Sequence, residues 1–230
     1  IEREYSYEGV DTCAVDGMCQ VACPVLINTG DLVRRLRDEQ AAVGEKAVWT
    51  LLSKQWNYGT QALSSLISLA HKVPTLSALT LNSLRKISNK VPLINTEIVS
   101  GGKVRTGLRN PHATVVYFPS CTSTIFGGST PDAFLELCEK AGVEVKIPKD
   151  IAGVCCGTPW KSKGMSDGYR SMRAKTGELL NRLTKDGSIP IVSDSSSCTQ
   201  GLSEINSEYH VIDVVTFTLT KIVPTLKLRK

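Results

Sequence analysis

No stretch of this 230-residue chain is long and apolar enough to span a bilayer, and no secretory leader is legible, so a transmembrane segment is not expected within it. Aromatic residues are scarce, at 6%, and do not interleave with the basic ones, which argues against a nucleic-acid partner. Histidine is scarcer still: His71, His112 and His210 stand alone, so none is assigned a proton-transfer role and no catalytic side chain is named. Charge is only mildly unbalanced, at +5. The basic residues gather at Arg85-Lys86, Lys103 to Arg105 and the tail Lys227 to Lys230. They read as a solvated face and a frayed end, with docking to an acidic partner or a membrane surface as the sharper alternative. The chain begins at Ile1 rather than Met, as expected of a processed product or a piece of a longer protein.

What the chain does have is cysteine, eight residues of it, in a sequence whose 41% hydrophobic content supports a real core. Cys13, Cys19 and Cys23 crowd into one loop, whereas Cys121, Cys155, Cys156 and Cys198 are spread over the second half. Only Cys138 falls outside these two patterns; it lies mid-helix among Leu135, Leu137 and Ala141 and reads as a core residue. Clustered thiols without a secretory context point to metal or redox chemistry rather than disulfide stapling. They also call for a reducing compartment, the cytosol or the mitochondrial matrix, with any membrane association made through partners.

The texture of the chain changes near Ser100-Gly101-Gly102 and Asn110-Pro111, where a domain boundary is placed, giving parts 1–110 and 111–230. Residues 1 to 12 are polar and expected to be extended, leading into a cysteine loop at 13 to 30. Helices are expected from Thr29 or Asp31 to about Gln40, with Leu32, Val33 and Leu36 inward. Others follow from Glu45 to Trp56 (Val48, Leu51, Leu52 inward), from Gln61 to Lys72 (Leu63, Leu66, Ile67, Ala70), and over Leu76 to Ile87. The second part alternates. Strands are expected at Ala113–Phe118, Val143–Ile147 and Ile189–Ser193. Helices are expected at Pro131–Ala141 (stopped by Gly142), Asp167–Thr184 and from near Cys198, with a last strand and helix over His210 to Leu226. Such alternation predicts right-handed crossovers and a mainly parallel sheet, hence an α + α/β fold. Loops leaving the carboxyl ends of parallel strands share one edge of the sheet, where ligands bind. Cys121, Cys155, Cys156 and Cys198 all lie just past expected strand ends, so they are expected to meet in space.

The first loop reads Cys13-Ala-Val-Asp16-Gly-Met-Cys19-Gln-Val-Ala-Cys23-Pro24. It is similar to the bacterial ferredoxin run C-x2-C-x2-C-x3-C-P, in which three ligands wrap one cubane cluster and the last cysteine serves a neighbouring one. Asp16 stands at the second ligand position; a carboxylate is a harder ligand than a thiolate, which suits a labile or unusual site. In that two-cluster pattern the companion motif must come from a preceding segment or another chain. In the second constellation, adjacent Cys155-Cys156 followed by Gly157 can direct two thiolates into one site. With Cys121 and Cys198 they could hold an iron–sulfur cluster, hold zinc in a closed tetrahedral site, or form a dithiol redox pair.

At these residues the second half resembles the cysteine-rich CCG domain of heterodisulfide reductase subunits and of glycolate oxidase iron–sulfur subunits, with Cys121, Cys155, Cys156 and Cys198 on the family's pattern. Ser195 stands where that pattern has a further cysteine, which departs from the non-cubane type of cluster. Asp11 to Pro24 with Ile27 to Asp31, Tyr117 to Cys121, and Cys155-Cys156-Gly157-Thr158-Pro159-Trp160 together look like the C-terminal portion of FAD-linked D-lactate dehydrogenases. The likeness covers almost all of the chain outside Gly44 to Asn110. It implies a helical ferredoxin-like part holding 4Fe-4S clusters through Cys13, Asp16, Cys19 and Cys23, then a CCG domain. It further implies FAD on a preceding oxidase region or partner subunit, and an electron acceptor. The alternatives are a zinc-holding scaffold subunit and a thiol redox module of the heterodisulfide reductase kind.

Overall fold

The computed structural model describes residues 2–86, 97 and 99–226. The basic tail Lys227 to Lys230 and the expected helix end at Ile87 lie outside the described residues. The fold is α + α/β: a run of helices followed by a four-stranded, all-parallel sheet wrapped by helices.

The opening residues are helical rather than extended. A turn of α-helix, α1 (Glu2–Tyr5), passes into a π-helical turn over Ser6–Asp11. The winding buries Val10 and lets Arg37 collect the Val10 carbonyl through Nε at 3.0 Å and the Cys13 carbonyl through Nη2 at 2.8 Å. The cysteine loop holds its own short helix, α2 (Met18–Ala22). Then come α3 (Thr29–Gln40), α4 (Val43–Lys54), α5 (Trp56–Lys72) and α6 (Pro74–Arg85). Helix α3 starts where Asn28 Oδ1 accepts from the Gly30 N–H at 3.0 Å, an N-cap that satisfies one orphan donor, and Asp31 adds negative charge to the first turn.

The expected inner faces need correction. Val33 and Ile67 are buried, but Leu32, Val48, Leu51, Leu63 and Leu66 are exposed. The buried positions of α4 and α5 are Ser53, Trp56, Thr60, Ser64 and Ile67. Small side chains sit there because backbone comes close: Ser64 Oγ donates to the Gly102 carbonyl at 3.0 Å, and a Cβ on Gly101 would lie 2.3 Å from the Ser64 carbonyl oxygen. A leucine stripe does not fit so close an approach.

In the sheet half the elements are β1 (Val115–Phe118), α7 (Cys121–Phe126), α8 (Thr130–Ala141), β2 (Val145–Lys146), α9 (Thr158–Lys163), α10 (Ser166–Thr184), β3 (Ile191–Ser193), α11 (Ser196–Ser203), β4 (Val211–Asp213) and α12 (Val214–Phe217). Helix α8 has Pro131 in its first turn and ends on Gly142 at φ 70°, a left-handed cap that glycine adopts without a Cβ clash. The strand order is β2-β1-β3-β4, with Val116 opposite Ile191 and Ile191 opposite Val211. Every residue of β1 and β3 is buried, as expected of central parallel strands covered on both faces. The chain leaves β1 toward β2 on one side and later returns to place β3 on the other. The loops after β1 and β3 therefore diverge, opening the crevice where such sheets bind ligands.

The three tryptophans of the chain join the halves. Trp160 on α9 packs against Trp56 in a tilted arrangement with ring centroids 4.6 Å apart and meets Trp49 edge-on at 6.0 Å. Its indole N–H donates to the Trp49 carbonyl at 2.8 Å. Trp160 follows the paired cysteines by four positions, so this packing anchors the Cys155-Cys156-Gly157 turn from the helical side.

Candidate functional site

The edge of the sheet gathers the four distant cysteines. Cys121 opens α7 just after β1, Cys155 and Cys156 lie on the loop between β2 and α9, and Cys198 lies in the first turn of α11 just after β3. All four are buried and free of disulfides. Cys121 Sγ and Cys155 Sγ are 3.8 Å apart, Cys156 is the next residue, and its thiol donates at 3.3 Å to the Thr158 hydroxyl, which reaches the Ser197 carbonyl beside Cys198, so the four thiols lie in a row. Gly157 makes the turn possible: its φ is +92°, and a Cβ there would stand 2.8 Å from the Tyr169 ring. Gly201 keeps α11 close, since a Cβ on it would lie 3.1 Å from Cys156 Cβ.

The row alternates electrostatically. Hydrogen bonding from Cys155 and then Cys198 holds the Cys156 thiol well below its ordinary value, against the penalty of burial. Hydrogen bonding from Cys155 also lowers Cys121, burial opposes it, and the Arg105 guanidinium adds to the lowering. Cys155 and Cys198, as the donors and by burial, are pushed up.

Around the row, side chains brace each loop. Asp194, following β3, accepts from the Ser120 N–H at 2.7 Å through Oδ1 and from the Tyr117 hydroxyl at 2.8 Å through Oδ2. It thereby ties the two sides of the crevice. Burial and then the Asp194 charge raise Tyr117, which stays protonated as the donor. Thr176 on α10 donates to the Cys155 carbonyl at 2.8 Å, and Thr158 donates to the Ser197 carbonyl at 3.1 Å. Arg105, read from the sequence as part of a solvated basic face, is instead 7% exposed and donates to the carbonyls of Pro119 at 2.9 Å and Val154 at 2.8 Å. Sequence reasoning missed Asp194 and Arg105. Asp194 stood at an expected strand end and was legible in principle; nothing in the sequence marks Arg105 as buried.

The first loop is arranged differently. Cys19 accepts from the Thr29 hydroxyl at 3.1 Å at the start of α3, and that bond, followed by the Gly30 N–H, lowers its thiol below the ordinary value. Cys13 Sγ accepts from the Val15 N–H at 3.4 Å, and Asp16 Oδ1 accepts from the Met18 N–H at 3.1 Å. Cys23 ends α2 and stands half-buried. These side chains share a loop without meeting at one point. Among the described residues, no three His, Cys, Asp or Glu side chains converge as a metal ion would require, here or in the second row.

The donor chemistry of the second row nevertheless fits a soft metal or an iron–sulfur cluster: Cys121, Cys155, Cys156 and Cys198 are free and buried, and Cys121 and Cys155 are in sulfur–sulfur contact. Ser195 does not join them; its hydroxyl pairs with that of Ser197 at 3.0 Å. Cys138 is buried in α8, where burial pushes its thiol up to about 11. A cavity of about 510 Å³ is lined by Leu108, Leu135, Cys138 and Val145 and by none of the four cysteines of this row.

Residues 115–203 match the family model of the cysteine-rich domain CCG. The matched span takes in all four cysteines of the row. This domain is found in iron–sulfur subunits of oxidoreductases, and its presence supports a redox or iron–sulfur role. No curated protein and no solved structure matches the chain. No helix among the described residues is long and apolar enough to cross a membrane.

Proposed function

We propose that this chain is the iron–sulfur electron-transfer portion of an FAD-dependent D-lactate (2-hydroxy-acid) dehydrogenase, acting between a flavin held elsewhere and an acceptor. The observation that carries the reading is the row Cys121, Cys155, Cys156 and Cys198, buried at the carboxyl edge of a parallel sheet within the CCG match. The choice of a 2-hydroxy acid as substrate rests on the sequence likeness of the segments around Cys13 to Asp31, Tyr117 to Cys121 and Cys155 to Trp160.

In this reading Cys13, Asp16 and Cys19 contribute to one 4Fe-4S cluster and Cys23 to its neighbour, with the remaining ligands supplied by a companion segment. Cys121, Cys155, Cys156 and Cys198 hold the second-site group. Bound clusters supply one-electron chemistry at potentials set by burial, charge and hydrogen bonds to sulfur. The residues of this chain provide those settings. The Thr29 hydroxyl donates to Cys19, Asp194 locks the crevice, and Gly157 and Gly201 let backbone close around the thiols. The eight free thiols suit a reducing compartment, the cytosol or the mitochondrial matrix.

One observation favours a second reading, a closed zinc site in a scaffold subunit. A tetrahedral ion with sulfur ligands at about 2.3 Å sets neighbouring sulfurs about 3.8 Å apart, and Cys121 and Cys155 stand at 3.8 Å. Measuring iron, zinc and acid-labile sulfide per chain, on anaerobically purified protein with its natural partners attached, separates the two. Iron and sulfide in excess of what the first loop accounts for support electron transfer throughout. Zinc, or no metal beyond the first loop, refutes a relay at the second site.

A further inference from the structure

Burying a guanidinium is costly unless the charge is compensated. Arginine cannot escape by losing its proton. Arg105 is buried, yet no carboxylate among the described residues forms an ion pair with it. Its two terminal nitrogens are spent on backbone carbonyls, and the choice of carbonyls is informative. Pro119 lies two positions before Cys121, and Val154 immediately precedes Cys155. One fork therefore spans the two loops whose cysteines touch at 3.8 Å. A strut alone would need hydrogen-bond donors and no charge. A full positive charge held between the loops that lead to Cys121 and Cys155 suits an anionic thiolate row.

We propose that Arg105 is the counter-charge of the four-cysteine centre, a positioning residue that offsets the negative charge of a metal–thiolate group held by Cys121, Cys155, Cys156 and Cys198. This rests on reading the row as metal-holding. Four thiolates around a divalent ion leave a net negative charge in a dry site, and a cluster ligated by four thiolates is likewise anionic. A fixed cation beside Cys121 stabilises either, and it favours the more reduced state of a redox-active group. Arg105 also completes what the pairing of thiols among themselves cannot: hydrogen bonds between sulfurs redistribute charge but do not neutralise it.

The test compares full-length wild type with Arg105→Lys, which keeps the charge and loses the fork, and Arg105→Gln, which keeps a donor and loses the charge. A Cys121→Ser/Cys198→Ser variant, prepared in the same way with its natural partners, gives the metal held by the first loop alone. Folding is followed by circular dichroism, metal retention by competition with a chelator, and, where the metal is iron, the second-site reduction potential by titration. The expected result is that Arg105→Lys stays near wild type while Arg105→Gln holds second-site metal roughly 10- to 100-fold more weakly, the range typical of residues supporting a metal's ligands. The potential of a redox-active centre shifts down in Arg105→Gln. Equal retention in all three proteins overturns the proposal. So does equal loss in both variants, which makes the residue a strut, and so does failure of both to fold. If only Arg105→Gln fails to fold, Arg105→Lys decides: retained metal at unchanged potential supports the counter-charge, and lost metal overturns it. Wild type with no more metal than the Cys121→Ser/Cys198→Ser variant refutes the metal reading itself, an outcome distinct from any difference among the Arg105 variants.

Discussion

Asp194→Ala removes the group that joins the two sides of the crevice. The carboxylate takes a hydrogen bond from the Tyr117 hydroxyl, on a residue fully buried in β1, and another from the Ser120 N–H just before Cys121. Each donor left unpaired costs about 1–3 kcal/mol, so the truncation costs about 2–6 kcal/mol. That is a large share of the roughly 5–15 kcal/mol that holds a domain folded. With a urea slope near the upper end of the usual range, about 3 kcal/mol per molar, a loss of about 4 kcal/mol moves the midpoint by about 1.3 M. Tyr117→Phe alone deletes one donor and leaves the carboxylate its bond to Ser120, so it costs about 1 kcal/mol. The informative quantity is the double variant. If the bond exists as described, Asp194→Ala in the Tyr117→Phe background orphans one donor instead of two, and the double variant is more stable than the sum of singles by about 1–3 kcal/mol. Equilibrium urea unfolding of the four proteins measures it. Additivity to within about 0.5 kcal/mol would show that Tyr117 and Asp194 do not interact and would refute this account of how the loops after β1 and β3 are held together. If the row holds the proposed metal group, the aspartate variant should also retain less of it, because the loops it releases carry Cys121 and Cys198.

Gly157→Ala forces a side chain into a left-handed backbone and against the Tyr169 ring; it is expected to cost about 1–3 kcal/mol in backbone strain alone, and Gly157→Ala/Tyr169→Ala should recover only the steric share, as thermal unfolding will show. Cys138 gives a pH signature. Its thiol titrates near 9.0 when unfolded and at about 11 when buried, so its contribution to stability is complete below about 9 and is lost as pH rises through about 11. Urea midpoints measured across that window should fall in wild type relative to Cys138→Val as pH rises, and parallel curves would contradict the assignment. Trp160→Ala removes the ring that joins α4 and α5 to the CCG match and should cost about 3–5 kcal/mol, with the second-site thiols becoming more accessible to an alkylating reagent; unchanged accessibility would mean that the tryptophan cluster does not anchor the paired cysteines.

Local patterns carried much of the sheet half. The apolar run at 115–118, the proline-started helix closed by Gly142, and the long helix ending at Thr184 are each specified by residues adjacent in sequence, and their signals agree with the structure. From those strand ends, the gathering of Cys121, Cys155, Cys156 and Cys198 on one edge followed by the topology of parallel sheets alone. The helical half was less legible. Leucine periodicity identifies a helix but not which face finds a neighbour, and in α5 the neighbour is backbone close enough to select Ser64 over Leu63 and Leu66. The same limit hid Arg105, whose sequence neighbours Lys103 and Gly107 give no sign of a buried fork.

The two cysteine constellations, the alternation of strands and helices in the sheet half, and the glycine that permits the Cys156 turn are written in local order, because they depend on spacing and on the chain's own sterics. Long-range packing settles that Cys121 and Cys155 touch, that Asp194 ties β1 to β3, and that Arg105 is buried on the loops leading to Cys121 and Cys155. Burial, charge compensation and sulfur–sulfur distance are properties of groups brought together from far apart along the chain, and no local pattern encodes them.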